Sequence, residues 1–302
     1  MGDLGQEIRF GGNVDPTASE PDWPLRLTRA LEQAGLEYVG LQDHPYNPGF
    51  LDTWTVLATL AASTRRVRLF PNVANLPLRP PLMLAKAAAT LDVLSGGRLE
   101  LGLGAGAMRG GVEAMGGPGR EKGEAIDALE EAVQLIKAFW GGEQTVHFAG
   151  THYLAQGAQP GPRPAHAIGL WLGAYGPRAL TLTGRLADGW IPSSSYAPPQ
   201  QLPRMQQRIT DAALAAGRQP TEIRRLYNVM GLISEGPVRE QLVGPPAYWI
   251  AELTRLALEV GMDTFIYWPA DDRLNQLQRF AAEIAPAVRA NVAQARGQSR
   301  GV

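Results

Sequence analysis

The chain has 302 residues, 45% of them hydrophobic and 19% charged, with a net charge of −1 and no cysteine. That balance supplies a large core, gives no electrostatic footprint for nucleic acid or an anionic membrane, and excludes disulfides, thiolate nucleophiles and zinc–thiolate sites. Length alone fits two average domains or one (β/α)8 barrel of about 250 residues, so the internal pattern has to decide.

The start, Met1-Gly2-Asp3-Leu4-Gly5-Gln6-Glu7, lacks a basic region and an apolar h-region, and no apolar run approaches the roughly eighteen residues of a spanning helix. A soluble, unexported, cytoplasmic chain is expected. Short apolar runs then alternate with longer amphipathic segments, the signature of βα units around a parallel sheet. In chain order the predicted strands are Glu7 to Gly12, Tyr38 to Gln42, Arg68 to Val73, Leu99 to Gly104, Gly169 to Gly173, Gly189 to Pro192, Arg225 to Leu232 and Thr264 to Trp268. The predicted helices are Trp23 to Ala34, Thr53 to Ala62, Pro81 to Leu94, Glu121 to Trp140, Pro177 to Leu186, Pro199 to Ala216, Pro246 to Val260 and Leu274 to Val292. Eight strands with helices between them predict a single (β/α)8 barrel domain spanning residues 1–302. One break in the rhythm, Gly141 to Ile168, predicts an inserted hairpin and loop between strands 4 and 5. The tail from Arg289 to Val302 carries Arg289, Arg296 and Arg300 without an acid and is expected to fray.

The most informative stretch is Thr90 to Gly106, which joins a helix, a tight turn, a buried strand and a glycine-opened loop. Gly96 and Gly97 end the helix with positive φ, while Gly102, Gly104 and Gly106 let a ligand or another backbone come close. Small residues there make room for something flat, and the stretch points to a flavin-type site. In a parallel barrel the reacting groups follow the strand C-termini. Those positions read Gln42-Asp43-His44-Pro45, Asn72-Val73-Ala74-Asn75, Gly104-Ala105-Gly106-Ala107 and Gly173-Ala174-Tyr175-Gly176-Pro177-Arg178.

His44 is the candidate acid or base, because an imidazole titrates near neutrality and Asp43 is positioned to set its environment; the plain alternative is a histidine that caps a loop. His147, His152 and His166 fall in the inserted region at no trusted metal spacing, so no chemistry and no metal site is assigned to them. Gly176-Pro177-Arg178 opens a helix whose free N–H groups suit a phosphate, with Arg178 adding charge, or else forms an ordinary turn with a surface arginine. Gly102-x-Gly104-x-x-Ala107 fits a dinucleotide fingerprint, but Met108 to Gly119 holds five glycines and no helical apolar period, so the phosphate-binding helix that fingerprint needs is not expected. A nucleophile elbow, a P-loop, a His-Glu-x-x-His motif and a clear catalytic carboxylate pair are all absent from the sequence. Trp171, Tyr175, Trp190, Tyr196, Trp249, Tyr267 and Trp268 lie mostly near strand ends, where packing is the default role and a pocket wall the alternative.

Ala85 to Arg98 followed by Leu101-Gly102-Leu103-Gly104-Ala105-Gly106 resembles a signature of the bacterial luciferase-like superfamily, the flavin- and deazaflavin-dependent oxidoreductases on a (β/α)8 barrel. Leu78-Arg79-Pro80-Pro81, Trp171 to Leu180 and Gly184 to Trp190 extend the resemblance over nearly the whole chain. It implies that Asp43 and His44 lie beside a coenzyme F420 ring, with His44 in proton transfer or hydride positioning. It also implies a bulge with a non-proline cis peptide at Asn72-Val73-Ala74 behind the ring. Gly104, Ala105 and Gly106 would then approach the cofactor, and Tyr175, Gly176, Pro177 and Arg178 would hold its phosphate. Ala107 stands where the sugar-phosphate dehydrogenases of that branch have glutamate, and Ser193-Ser194-Ser195 lacks their lysine, which disfavours glucose 6-phosphate. The expected function is F420-dependent hydride transfer to or from a small organic substrate, in a homodimer of the kind usual in the superfamily. The alternatives are an FMN-dependent monooxygenase and a non-catalytic flavin-binding relative.

Overall fold

The computed structural model describes residues 2–240 and 242–299. Eight parallel strands form the barrel: β1 (Arg9–Val14), β2 (Tyr38–Leu41), β3 (Arg68–Pro71), β4 (Leu101–Gly104), β5 (Leu170–Leu172), β6 (Gly189–Trp190), β7 (Arg224–Ile233) and β8 (Thr264–Pro269). Pairing runs β3-β2-β1-β8-β7-β6-β5-β4. The ring closes between β3 and β4 through a single parallel bridge, Leu69 to Leu99. Beyond Pro71 the predicted third strand breaks, and the chain rejoins the sheet at Ala74–Asn75 beside Leu103 and Gly104.

The helices on the outside are α1 (Trp23–Gln33), α2 (Thr53–Ser63), α3 (Pro81–Ser95), α4 (Lys122–Trp140), α5 (Pro177–Leu186), α6 (Leu202–Ala215), α7 (Pro246–Arg255) and α8 (Arg273–Arg279). α7 continues through π-helical Leu256–Val260, and α8 through π-helical Phe280–Ile284 into Ala285–Ser299. α3 stops as its sequence requires, with Gly96 and Gly97 at φ 72° and 84°. Arg109–Ala114 forms a six-residue helix inside the glycine-rich segment where no helix was expected. The insertion contains the predicted hairpin, Val146–Ala149 against Leu154–Ala158. Its turn is held on α4 by Glu131, which accepts from the backbone N–H groups of Thr151, His152 and Tyr153.

The expected fraying of the C-terminal tail is overturned. Arg289 pairs with Glu37 and Arg296 with Asp3 at 2.6 Å, so the acids absent from the tail itself come from the start of the chain. Arg300 to Val302 lie outside the described residues. Among the described residues no helix is long and apolar enough to cross a membrane.

Side chains alternate across each strand, so every second residue points into the barrel. Three odd-numbered strands carry one repeated reading: Arg9-x-Gly11-x-Asn13, Arg68-x-Phe70-x-Asn72 and Arg224-x-Leu226-x-Asn228. Two of the middle positions, Phe70 and Leu226, join Tyr38, Trp171, Ile191 and Ile266 in an apolar interior cluster. Within it Tyr38 and Phe70 meet Trp171 edge to face at 5.5 and 5.2 Å. The intervening residues, such as Phe10, Leu69 and Tyr227, face the helices and build the larger outer core. An arginine layer thus closes the bottom of the barrel and an asparagine layer floors its mouth.

Candidate active site

The floor of the mouth is a set of uncharged amides. Asn72 Nδ2 donates to Asn13 Oδ1 at 3.1 Å and to Asn228 Oδ1 at 2.8 Å. Asn228 Nδ2 donates back to Asn72 Oδ1 at 3.1 Å and to Ser193 Oγ at 3.0 Å. All three asparagines are buried, so their mutual satisfaction makes the layer rigid without placing a charge there.

The peptide between Asn72 and Val73 is cis, at the position where the resemblance places a bulge. The glycines of β4 are what allow it. A Cβ on Gly102 would lie 2.3 Å from the Pro71 carbonyl oxygen, and one on Gly104 would lie 2.7 Å from Val73 Cγ2. Of the two readings of these glycines, close approach of ligand or of backbone, the second holds inside the barrel: Gly102 and Gly104 make room for the bulge. Val73 then caps the interior cluster from above and faces the mouth. Ala105 is half-buried and Gly106 exposed at the rim beside it.

Asp43 and His44 follow β2, but they do different things. The Asp43 side chain is fully enclosed and accepts from Asn75 N at 2.9 Å and, bidentately, from Arg79 Nε at 2.8 Å and Nη2 at 2.9 Å. Arg79 also reaches Asp52, the N-cap of α2, at 2.7 Å. Asp43 is therefore the fastening of this loop. His44 is half-buried and has no protein partner at Nε2 among the described residues, while its Nδ1 lies 2.7 Å from the Tyr46 hydroxyl. Burial lowers the His44 pKa from the usual 6.5, over the opposing pull of Asp43 and Asp15, which favours the neutral ring. Asp15, just after β1, is itself paired with Arg273 at 2.6 Å and accepts from Gln42.

On the far side of the mouth α5 begins without a side-chain cap: Gly176 is its N-cap, Pro177 opens it, and a Cβ on Gly176 would meet nothing within 4 Å. An open helix start of this kind suits an anion. The Arg178 guanidinium, 59% exposed, turns away to Asp127 and the Gly123 carbonyl on α4. Tyr175 Oη accepts from Ser193 N at 3.1 Å and stacks edge to face on Tyr196. Trp171, Trp190, Trp249 and Tyr267 are core.

The arrangement fits a flat, phosphate-bearing cofactor: a rigid neutral floor, Val73 above it, small residues at one wall, an open helix start at another. Beside Tyr46, Asn75 Oδ1 is buried with no hydrogen-bond partner, an acceptor left over at the site. Sequence reasoning named Asn72 but missed Asn13, Asn228, Ser193 and Tyr46 as members of the site. The signal for the asparagines was the shared Arg-x-apolar-x-Asn reading on three strands.

A family model described as luciferase-like monooxygenase matches residues 8–249. The F420-dependent glucose-6-phosphate dehydrogenase of Nakamurella multipartita is 31% identical over 265 residues, covering 85% of this chain and 76% of that protein. Among solved structures, an F420-dependent secondary alcohol dehydrogenase in complex with an F420-acetone adduct superposes with a TM-score of 0.83 at 18% identity, over 94% of this chain and 99% of the other. A riboflavin lyase with modified FMN and riboflavin superposes with a TM-score of 0.80 at 17% identity, over 97% and 92%. The two structures show the shared barrel.

Proposed function

The chain belongs to the luciferase-like monooxygenase family, and from that premise we propose a deazaflavin (coenzyme F420)-dependent oxidoreductase that moves a hydride between cofactor C5 and a small organic substrate. The carrying observation is His44 at the end of β2, with Nδ1 2.7 Å from the Tyr46 hydroxyl and no protein partner at Nε2 among the described residues. The cofactor, when bound, supplies the two-electron chemistry. The protein's part is orientation and protons. Val73 and Ala74 back the ring over the amide floor, Gly104, Ala105 and Gly106 border it, and Tyr175, Gly176 and Pro177 present the start of α5 to its phosphate, with Arg178 shared with Asp127. Asn72 sets the bulge, Asp43 holds the loop, and His44 gives or takes the proton at the reacting carbon's neighbour.

Phosphorylated sugars are poor candidates for the second substrate. Ala107 and the lysine-free Ser193-Ser194-Ser195 supply no cation for a sugar phosphate, and the half-buried Arg273 is already paired with Asp15. An FMN-dependent monooxygenase is the second reading, supported by the same barrel in the FMN-bearing structure. We take the whole chain as one cytoplasmic domain that works as a homodimer, the assembly the family resemblance implies.

Titrating the purified apoprotein with each cofactor tests the reading. Deazaflavin is expected to bind more tightly than FMN. An FMN affinity at least tenfold better, about 1.4 kcal/mol, overturns it in favour of the monooxygenase.

A further inference from the structure

We infer that Tyr46 is a positioning residue for His44, fixing the ring as its Nε2–H tautomer and resupplying the proton that His44 hands to a carbonyl oxygen. The inference rests on the oxidoreductase reading for its chemistry and on the His44–Tyr46 contact of 2.7 Å for its geometry.

A hydrogen bond between a neutral imidazole and a hydroxyl has two possible directions, and the neighbours of Tyr46 choose between them. The Asn75 side-chain amide hydrogen-bonds Tyr46. Its carbonyl end, Oδ1, is the atom left without a partner, which agrees with the NH2 end facing Tyr46. With its oxygen already accepting, the hydroxyl has its hydrogen free for His44 Nδ1. Burial first, and Asp43 second, keep Tyr46 above its ordinary pKa, so that hydrogen is present at neutral pH. The other groups facing the pair are accounted for: Asp43 is held by Arg79, Asp15 by Arg273, and Tyr196 acts on Tyr46 as a phenol. His44 is thereby left with a proton on Nε2 and a lone pair on Nδ1.

The proton balance explains why this pairing matters. Carbonyl reduction needs a hydride on carbon and a proton on oxygen. A neutral imidazole that gave up its Nε2 proton alone would become an imidazolate, a far stronger base than a phenolate. If Nδ1 takes the Tyr46 proton as Nε2 releases its own, the imidazole stays neutral and the group that ends ionised is a phenol, a far better acid than a neutral imidazole. Nδ1 then returns its proton to the Tyr46 phenolate as Nε2 takes one from solvent, which restores both groups. Tyr46 is held for this role from both sides. The short Arg109–Ala114 helix presses Gly111 onto its ring, where a Cβ would come within 2.7 Å of Cγ.

The test is 15N NMR of histidine-labelled protein without cofactor, with the His44 signals assigned by His44→Gln. The expected wild-type spectrum shows a protonated Nε2 and an unprotonated, hydrogen-bonded Nδ1; a protonated Nδ1 in the neutral ring overturns the inference. This readout needs neither a bound cofactor nor a folded Tyr46 variant. In Tyr46→Phe the tautomer preference is expected to be lost. Its kcat with reduced deazaflavin and the best of a panel of ketones, aldehydes and enones should fall about 10- to 100-fold, with KM within about threefold. Unchanged tautomer and kcat in that variant sink the inference. Failure of every carbonyl compound with wild type counts instead against the oxidoreductase reading, and the spectrum still decides the pairing.

Discussion

The two ends of this barrel each hold a histidine, and the two titrate in opposite directions. At the bottom, His166 Nδ1 lies 2.8 Å from Asp92 and its Nε2 3.5 Å from Glu100, and those carboxylates outweigh burial and lift its pKa to about 9. At the mouth, His44 has no carboxylate partner and burial lowers it. The layers around them differ in the same way. The inward arginines at the strand starts find partners in Tyr38, Glu100 and Asp263, while the inward residues four positions later are asparagines bonded to one another. One end of the fold is built from satisfied charge, which fixes the barrel. The other has a floor of neutral dipoles, its loops fastened by the Asp43–Arg79 and Asp15–Arg273 ion pairs, and leaves an imidazole without a carboxylate partner available to a ligand.

The sharpest way to test this division is to remove each histidine in turn. His44→Ala should lower turnover about 100-fold or more while the cofactor dissociation constant moves only a few-fold and the melting temperature stays close to wild type. Steady-state kinetics beside a cofactor titration checks it. A loss of folded protein in proportion to the loss of activity would make His44 a structural residue and erase the contrast.

His166→Gln should show the converse: stability falls by about 2 kcal/mol near pH 6, and turnover per folded molecule is unchanged. The pH dependence follows from the signs. The folded pKa of His166 is raised above 6.5, so its contribution is complete below pH 6.5 and fades as pH rises through about 9. Asp92 is pulled the other way. Burial alone would raise it, but hydrogen bonds from the His166 side chain and backbone and from Leu99 N lower it below 3.8, so its contribution holds above that pH and fades in acid. Urea unfolding of both proteins from pH 4 to 10 should find the widest gap between about pH 4 and 6.5 and a narrowing gap beyond pH 9. A gap that widens with alkali would contradict the assigned ion pair.

Much of the fold was legible because its signals are local. Apolar runs alternate with amphipathic segments, Gly96-Gly97 closes a helix, and Asp43-His44 sits where a strand ends. What stayed hidden depends on partners far along the chain. Asn72 meets Asn13 and Asn228 across 59 and 156 positions, and His166 meets Asp92 across 74. The tail arginines read as unpaired for the same reason, since Arg289 and Arg296 find Glu37 and Asp3 252 and 293 positions away. Gly102 and Gly104 were read correctly as demanding space, but the sequence could not say that Pro71 and Val73 take it. Residue parity on the strands carries some of this information: once strand starts are known, Arg-x-apolar-x-Asn on β1, β3 and β7 predicts both layers.

The smallest expected effect lies at Arg178, where the contrast between the two ends becomes a matter of degree. Its guanidinium is exposed and already paired with Asp127, so the cation that a phosphate would feel is largely neutralised and screened. The N–H groups at the start of α5 belong to the backbone and survive any side-chain change. Arg178→Ala should therefore weaken the intact deazaflavin only about two- to fivefold, on the order of 0.5–1 kcal/mol, and leave a riboflavin-like fragment without phosphate unaffected. Fluorescence titration of both ligands checks it. Equal losses for the two would place Arg178 away from the phosphate. A loss of a hundredfold confined to the phosphorylated ligand would mean that Arg178 leaves Asp127 on binding, and that the mouth holds the phosphate with a side-chain charge.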